Sequence, residues 1–153
     1  MVILRRASAG DADAIFAVDI ASRREALPTV RWAHPPDEVR QWIADVLLPT
    51  HEVWVAEDDG AVVGYLALHD EWVSQLYLRP GFWRRGFGSA LLQRAKELRP
   101  SGLRLWCFQV NARARAFYEA QGFAAVQHTD GQDNEEREPD ILYAWTGRAG
   151  KVE

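Results

Sequence analysis

The chain has 153 residues, of which 48% are hydrophobic and 26% charged, with a formal net charge of −4 at pH 7. These values are typical of one globular domain, and we predict a single domain over residues 1–153. They give nucleic-acid binding no general electrostatic support, and no apolar run is long enough to predict a signal peptide or a membrane span. The single cysteine, Cys107, favours a reducing compartment, so we predict a cytoplasmic location.

Alternation and turn signals predict seven strands, and helical spacing predicts four helices. The predicted strands cover residues 2–6, 52–57, 61–69, 72–78, 103–110, 124–127 and 141–145. The helices follow N-cap candidates or turns at Ser8, Asp37, Gly86 and Asn111. The segment Asp58-Asp59-Gly60 is a hairpin turn signal between the second and third strands. This order of elements predicts an α/β or α+β mixed sheet with helices on its faces.

Residues 76–92 predict a strand, a glycine-containing turn and a helix, an arrangement that suits a phosphate-bearing ligand. The unpaired N–H groups and the dipole at a helix N-terminus both favour an anion. Gly86 and Gly88 remove Cβ atoms where a phosphate approaches the backbone, and Arg84 and Arg85 add positive charge. The segment is neither a dinucleotide fingerprint nor a P-loop, because the third glycine and the Gly-Lys-Ser/Thr ending are missing. A purely structural turn is the alternative.

Residues 111–123 predict a capped helix with a tyrosine on one face and a glycine stop. Asn111 is an N-cap candidate, a role worth about 1 kcal/mol. Gly122 indicates the end of the helix. Tyr118 is either a half-buried structural residue or a functional phenol, and the periodicity of the helix does not separate the two.

The two segments together resemble the GNAT superfamily of N-acetyltransferases. Residues 76–92 are similar to its motif A and residues 111–123 to its motif B. The matching positions of motif B are Asn111, Ala114, Phe117, Tyr118, Glu119, Gly122 and Phe123. The resemblance spans nearly the whole chain and implies a GNAT-like α/β (α+β mixed sheet) fold, with a central mostly antiparallel sheet of six to seven strands flanked by four helices. It also implies transfer of an acetyl group from acetyl-CoA to a primary amine of a small molecule or peptide by direct attack.

The resemblance implies a role for each matching position. The strand edge would pair with pantetheine like an added strand, and the backbone from Arg84 to Ser89 would bind the pyrophosphate. Asn111 would hydrogen-bond the pantetheine, and Tyr118 would face the thioester sulfur as a catalytic residue. The implied cofactor-binding residues are Leu76, Tyr77, Leu78, Arg84, Arg85, Gly86, Phe87, Gly88, Ser89, Asn111, Phe117 and Tyr118. No metal is implied, since the histidines have no metal-ligand spacing.

Two positions depart from the family pattern. Trp83 occupies the place of a Gln or Arg before the glycine turn, so one phosphate contact is lost. Trp72 occupies the place of the glutamate that often serves as general base, and Glu71 lies one residue away. Because an offset of one residue turns a strand side chain to the other face, Glu71 is a weak base candidate unless a bulge re-aims it.

The acceptor side is less defined by the sequence. The acidic segment 130–140 is either a solvated surface loop or a flank that attracts a cationic amine. A second wall is predicted from Arg23, Arg24, Trp32 and His34, whose aromatic members suit a flat or cationic acceptor. The alternative to an enzyme is a non-catalytic acetyl-CoA/CoA-binding regulatory module, which Trp72 keeps open. The resemblance also makes a homodimer a candidate assembly.

Overall fold

The computed structural model describes residues 2–147, which form one central sheet with helices on both faces. The strands are β1 (Ile3–Arg6), β2 (Glu52–Asp58), β3 (Ala61–His69), β4 (Trp72–Leu78), β5 (Leu103–Phe108), β6 (Ala124–His128) and β7 (Asp140–Trp145). The helices are α1 (Ala12–Ala26), α2 (consecutive segments Pro36–Trp42, Ile43–Leu47 and Leu48–Thr50), α3 (Phe87–Leu98) and α4 (Ala112–Ala120). The predicted mixed fold of seven strands and four helices is confirmed. No helix within residues 2–147 is long and apolar enough to cross a membrane.

Local signals in the sequence account for the element boundaries. The β2–β3 hairpin turns through Asp59 and Gly60, whose φ angles are 54° and 80°; two successive positive φ angles belong to the turn type that Asp-Gly favours. Strand β5 ends at Phe108, two residues before the predicted end, because the N–H of Asn111 bonds the carbonyl of Phe108 at 3.1 Å and turns the chain. These turns fix the register on either side of the sheet centre.

The sheet opens at its middle. Its strand order is β1-β2-β3-β4-β5-β7-β6, and β4 and β5 are parallel whereas the other neighbouring pairs are antiparallel. β4 and β5 are joined at one bridge, Trp72 opposite Arg104, at the amino end of both strands. Beyond this bridge the two strands separate, and their backbone edges face a gap instead of each other.

A bulge in β4 decides which side chains enter each layer. Ala67 lies opposite Gln75 whereas Leu68 lies opposite Val73, so Ser74 is an extra residue in β4. Such a bulge shifts the alternation of the strand. After it, Leu76 and Leu78 pack in the core layer under α3, and Tyr77 packs in the layer under α1 and α2.

Candidate active site

A cavity of about 950 Å³ fills the gap between β4 and β5. Its lining comes from β4 after Trp72, the carboxyl half of β5, the end of α1, the turn before α3, one face of α4 and the loop between β6 and β7. Most of the predicted cofactor-binding positions are among the lining residues: Leu76, Tyr77, Leu78, Arg84, Gly86, Gly88, Ser89, Asn111, Phe117 and Tyr118. Within residues 2–147, no cluster of His, Cys, Asp and Glu side chains has the composition of a metal site.

The turn before α3 presents backbone N–H groups to this cavity. Arg84 and Gly86 have φ angles of 63° and 89°, and no side chain among residues 2–147 caps the helix that starts at Phe87. The amides of the first helical turn therefore have no partner within the helix. A Cβ atom on Gly88 would lie 3.2 Å from Leu78 Cδ1 and 3.4 Å from Phe117 Cζ. Glycine at this position therefore lets Leu78 and Phe117 pack closely against the start of α3, whereas a Cβ atom on Gly86 would have open space around it.

The side chains of Arg85 and Phe87 do not line the cavity. The Arg85 guanidinium lies over the Phe82 ring at 4.7 Å and is 3.9 Å from Asp58 Oδ2. Phe87 is buried in the core. At these two predicted positions, only the backbone can contribute to an anion seat.

Arg113 replaces the positive charge that the motif lacks at Trp83. Its guanidinium carbon lies 3.4 Å from the centroid of the Trp83 ring, and both side chains line the cavity. A cation held on an aromatic face in this way is attracted by the ring quadrupole. The turn before α3 and helix α4 are therefore joined by a stacked pair at the rim of the cavity.

Asn111 caps α4 as predicted, and its side chain also reaches the cavity. Its Oδ1 accepts a hydrogen bond from the Ala114 N–H at 3.2 Å. The acceptor of the amide is thus used by the helix, and its NH₂ group is left for a ligand. The capping role and the ligand role are compatible because they use different atoms.

Tyr118 has a buried ring and a hydroxyl group that is free for a ligand. The ring lies against Phe117, Phe123 and Tyr143, with centroid distances of 5.3, 5.8 and 6.3 Å. Tyr118 lines the cavity, and its hydroxyl group has no hydrogen bond within the described part of the chain. Burial raises the pKa of Tyr118 above its ordinary value of 10.0, so the phenol is neutral and able to donate at physiological pH.

The open edge of β4 carries donors of its own. The N–H of Arg79 bonds the carbonyl of Val63 in β3 at 2.8 Å. Because successive amides of a strand point to opposite sides, this bond directs the N–H groups of Leu76 and Leu78 away from β3 and toward the gap. These amides are placed to pair with an extended ligand.

The structure does not bring Glu71 to the cavity. Glu71 is exposed in the turn between β3 and β4, where its carbonyl accepts the Arg104 N–H at 2.9 Å. Within β4 the one irregularity is the extra residue Ser74, which follows Glu71 by three residues and belongs to the cavity-lining part of the strand, Val73 to Leu78. That bulge turns Gln75, and not Glu71, toward the layer under α1. The residue at the usual base position, Trp72, lies at the closed end of the gap.

A recess of about 170 Å³ extends the cavity beneath α1. Of the predicted acceptor wall, the recess contains Arg23 and Trp32, whereas Arg24 and His34 do not line it. The wall is completed by Leu27, Val30, Arg31, Gln75, Tyr77, Trp106, Phe108 and Glu136. His34 lies outside and joins two loops, with its Nε2 2.9 Å from Glu135 and its Nδ1 3.2 Å from Glu38.

A buried charged cluster beneath this recess was not predicted. The Tyr65 hydroxyl donates to Asp19 Oδ2 at 2.6 Å, and Arg23 Nε lies 2.8 Å from Asp19 Oδ1. Burial raises the pKa of Asp19, while the charge of Arg23 and the bond from Tyr65 oppose that rise. The sequence held one signal for the cluster, a carboxylate on the apolar stripe of α1 with an arginine four residues later.

Comparison with known proteins identifies the family. Residues 18–123 match the acetyltransferase (GNAT) family, and the chain belongs to it. The peptidyl-lysine N-acetyltransferase YiaC of Escherichia coli is 32% identical over 107 residues, which cover 65% of this chain and 73% of that protein. The predicted class of activity, an N-acetyltransferase with acetyl-CoA as co-substrate, is therefore confirmed.

Solved structures have the same fold. The apo form of YjaB from Escherichia coli has a TM-score of 0.80 at 21% identity, covering 96% of this chain and 99% of that one. The PaiA N-acetyltransferase of Thermoplasma acidophilum, in complex with coenzyme A, has a TM-score of 0.75 at 18% identity, covering 95% and 99%. The resemblance inferred from residues 76–123 thus extends to the whole architecture.

Proposed function

We propose that acetyl-CoA lies in the gap between β4 and β5 and that a primary amine attacks its thioester directly. The amine nitrogen adds to the carbonyl carbon, the C–S bond breaks, and the products are the N-acetylated amine and the thiol of coenzyme A. A protonated acceptor releases one proton overall. The alternative to direct attack is transfer of the acetyl group through the thiol of Cys107. Burial raises the pKa of that thiol to about 12, so it is a poor nucleophile at neutral pH, and direct attack is favoured.

The cofactor is held mainly by backbone groups in this proposal. Its pyrophosphate lies on the amides between Arg84 and Ser89, where the space beside Gly86 is open for close approach. The stacked Arg113 adds a positive charge beside that seat. The pantetheine arm follows the open edge of β4, and the Asn111 NH₂ group donates to it.

The Tyr118 hydroxyl is the observation that carries the proposed chemistry. It is a neutral donor that faces the cavity without a hydrogen-bond partner in residues 2–147. It donates to the sulfur as the C–S bond breaks, which stabilises the departing thiolate. Because burial raises the pKa of this phenol, donation of a hydrogen bond is favoured over complete proton transfer. The oxyanion of the tetrahedral intermediate is stabilised by the amides at Leu76 and Leu78.

The ammonium group of the acceptor gives its proton to Glu136, and the neutral amine then attacks. Freeing an alkylamine of ordinary pKa at neutral pH costs roughly 4–5 kcal/mol, so an acceptor for that proton accelerates the reaction. Glu136 is a partly buried carboxylate that lines both the main cavity and the recess. We therefore assign the role of general base to Glu136 and not to Glu71.

Replacement of Tyr118 by Phe tests this mechanism. We expect acetyl-CoA binding, measured by calorimetry, to be retained, while thiol release with an accepted amine falls by about 10²–10³-fold. Tyr143→Phe is a matched control, because it also deletes a buried tyrosine hydroxyl but one that donates to Glu119 outside the cavity. A full rate in Tyr118→Phe would contradict the role given to the phenol. Binding of acetyl-CoA by the wild-type chain without acetylation of any amine would favour the regulatory module instead.

A cytoplasmic location, a single domain over residues 1–153 and a homodimer complete the proposal. The single cysteine supports a reducing compartment. The one sheet of residues 2–147 supports a single domain. The homodimer is implied by the family resemblance, and sedimentation of the purified chain distinguishes it from a monomer.

A further inference from the structure

The recess beneath α1 presents a guanidinium group whose outer donors are unused. Arg23 enters it from the last turns of α1, and its Nε forms an ion pair with Asp19 Oδ1 at 2.8 Å. The guanidinium carbon lies 5.7 Å from the centroid of Trp32 and 5.6 Å from that of Tyr77. The terminal nitrogens have no hydrogen-bond partner within residues 2–147. One carboxylate and two rings thus fix the group and leave its outer N–H donors for a ligand.

This arrangement changes what the aromatic residues of the wall can bind. Trp32 was expected to contact a flat or cationic acceptor, but Arg23 already lies over its ring. An incoming ammonium at that place would meet a like charge at close range. Arg31 also lines the recess and forms no ion pair with the described residues. The part of the recess lined by Arg23 and Arg31 therefore favours an anion, and a guanidinium fork matches a carboxylate in particular.

The opposite charge lies at the junction of the recess and the main cavity. Glu136 lines both spaces, and its charge acts on Arg23, although the two side chains form no ion pair within the described residues. Leu27, Trp106 and Phe108 also line both spaces and make the shared wall apolar or aromatic. The recess thus offers a cation, Arg23, that does not line the main cavity, an apolar wall, and a carboxylate shared with the main cavity.

We infer that the acceptor is an aminocarboxylate, a small primary amine that also bears a carboxylate and an apolar or aromatic side chain. This inference rests on the proposed function, since it names the acceptor of that reaction. Arg23 binds the carboxylate, Glu136 faces the amine, and the side chain packs against Trp106 and Phe108. A volume of about 170 Å³ suits a single small acceptor.

Matched acceptors test the inference on the wild-type chain. L-phenylalanine, L-phenylalaninamide and phenethylamine share a ring and an amine, and only the first bears a carboxylate; L-leucine and its amide repeat the comparison. We expect kcat/KM for thiol release to be about 10- to 100-fold higher for each acid than for its uncharged analogues, as a charge-assisted pair predicts. A peptide with one internal lysine serves as the opposing acceptor. Equal or faster acetylation of the amides, the amine or the peptide would overturn the inference while leaving the proposed function intact.

A binding measurement keeps the two proposals separate. Calorimetry with coenzyme A present compares N-acetyl-L-phenylalanine with its amide, which differ only in the carboxylate and need no turnover. We expect the acid to bind at least tenfold more tightly, and equal binding would overturn the inference. Absence of acetylation with every acceptor, together with preferred binding of the acid, would overturn the proposed function and leave only the carboxylate-binding role of the recess.

Variants of neighbouring arginines assign the preference to a residue. Arg23→Lys keeps the charge beside Asp19 and removes the fork, so we expect the preference for the acid to fall about tenfold without a change in acetyl-CoA affinity. Arg24→Lys is the matched control, because Arg24 is exposed and lies outside the recess. An unchanged preference in Arg23→Lys would overturn the role of Arg23. The double variant Asp19→Asn with Arg23→Gln removes both the guanidinium group and its buried partner, so no buried charge is left unpaired. It repeats the test in the absence of any positive charge at residue 23.

Discussion

The two halves of the cavity are built from different parts of the chain. The cofactor half uses backbone amides of one continuous segment, from the open edge of β4 to the first turn of α3. The acceptor half uses side chains brought together from distant segments, as in the bond between Asp19 and Tyr65, 46 residues apart, and that between His34 and Glu135, 101 residues apart. A backbone site requires glycine and a turn and so leaves a signature in the sequence. A side-chain site depends on tertiary contacts and leaves little.

This difference predicts that one side-chain deletion disrupts the acceptor half most. Asp19→Ala removes the buried partner of Arg23 and of the Tyr65 hydroxyl. Leaving a charge unpaired in the interior costs about 3–5 kcal/mol, and we expect the free energy of unfolding in urea to fall by that amount. Asp13→Ala is the control: it deletes an exposed carboxylate that pairs with Arg40, so about 1 kcal/mol or less is expected. Equal losses for the two variants would show that the buried cluster is not a structural element.

The cofactor half should instead be sensitive to added atoms. Gly88→Val places a branched side chain where even a Cβ meets Leu78 at 3.2 Å. Because this side chain must displace Leu78 and Phe117, which both line the cavity, we expect acetyl-CoA affinity to fall by about 100-fold, equivalent to about 2.7 kcal/mol in calorimetry. Gly81→Ala is the control, since a Cβ there has open space. Retained affinity in Gly88→Val would mean that the anion seat lies elsewhere.

The sequence predicts the fold, and it also predicts the turn and helix that line the proposed cofactor half, for the same physical reason. Alternation, turn residues and caps are local, and the Gly86 turn needs a positive φ that few other residues adopt. Glu71 shows where prediction from local signals ends, because the bulge at Ser74 depends on pairing with β3 and not on residue type. The acceptor half shows the same limit of prediction. Arg23 was predicted as part of a wall, but its stacking on Trp32 and its pairing with Asp19 arise only when α1 packs on the sheet.

The side chain of Asn111 combines a helix-capping contact, made by its oxygen, with a proposed cofactor contact, made by its NH₂ group, and substitutions can separate the two. Asn111→Asp keeps an oxygen for the Ala114 N–H but removes the NH₂ donor. We expect its thermal stability to stay near wild type while the KM for acetyl-CoA rises several-fold. Asn111→Ala should also lose about 1 kcal/mol of stability, because the cap is removed. If both variants change stability alike and leave KM unchanged, Asn111 is only a cap.

The smallest effect is expected from His34, which joins the loop before α2 to the acidic loop through Glu38 and Glu135. These carboxylates raise the pKa of His34 above its ordinary value of 6.5. A histidine with a raised folded-state pKa contributes fully below pH 6.5, and its contribution is lost as the pH rises through the raised value. The ratio of acceptor KM in His34→Gln to that in wild type should therefore exceed unity at low pH and approach unity as the pH rises. Because the contacts of His34 with the two carboxylates are exposed and screened, the change in this KM ratio should be less than about threefold.

The control is His128→Gln, which replaces an exposed histidine on β6 and should give a ratio independent of pH. A flat ratio for His34→Gln would show that the acceptor half is held by its buried cluster and not by this surface contact.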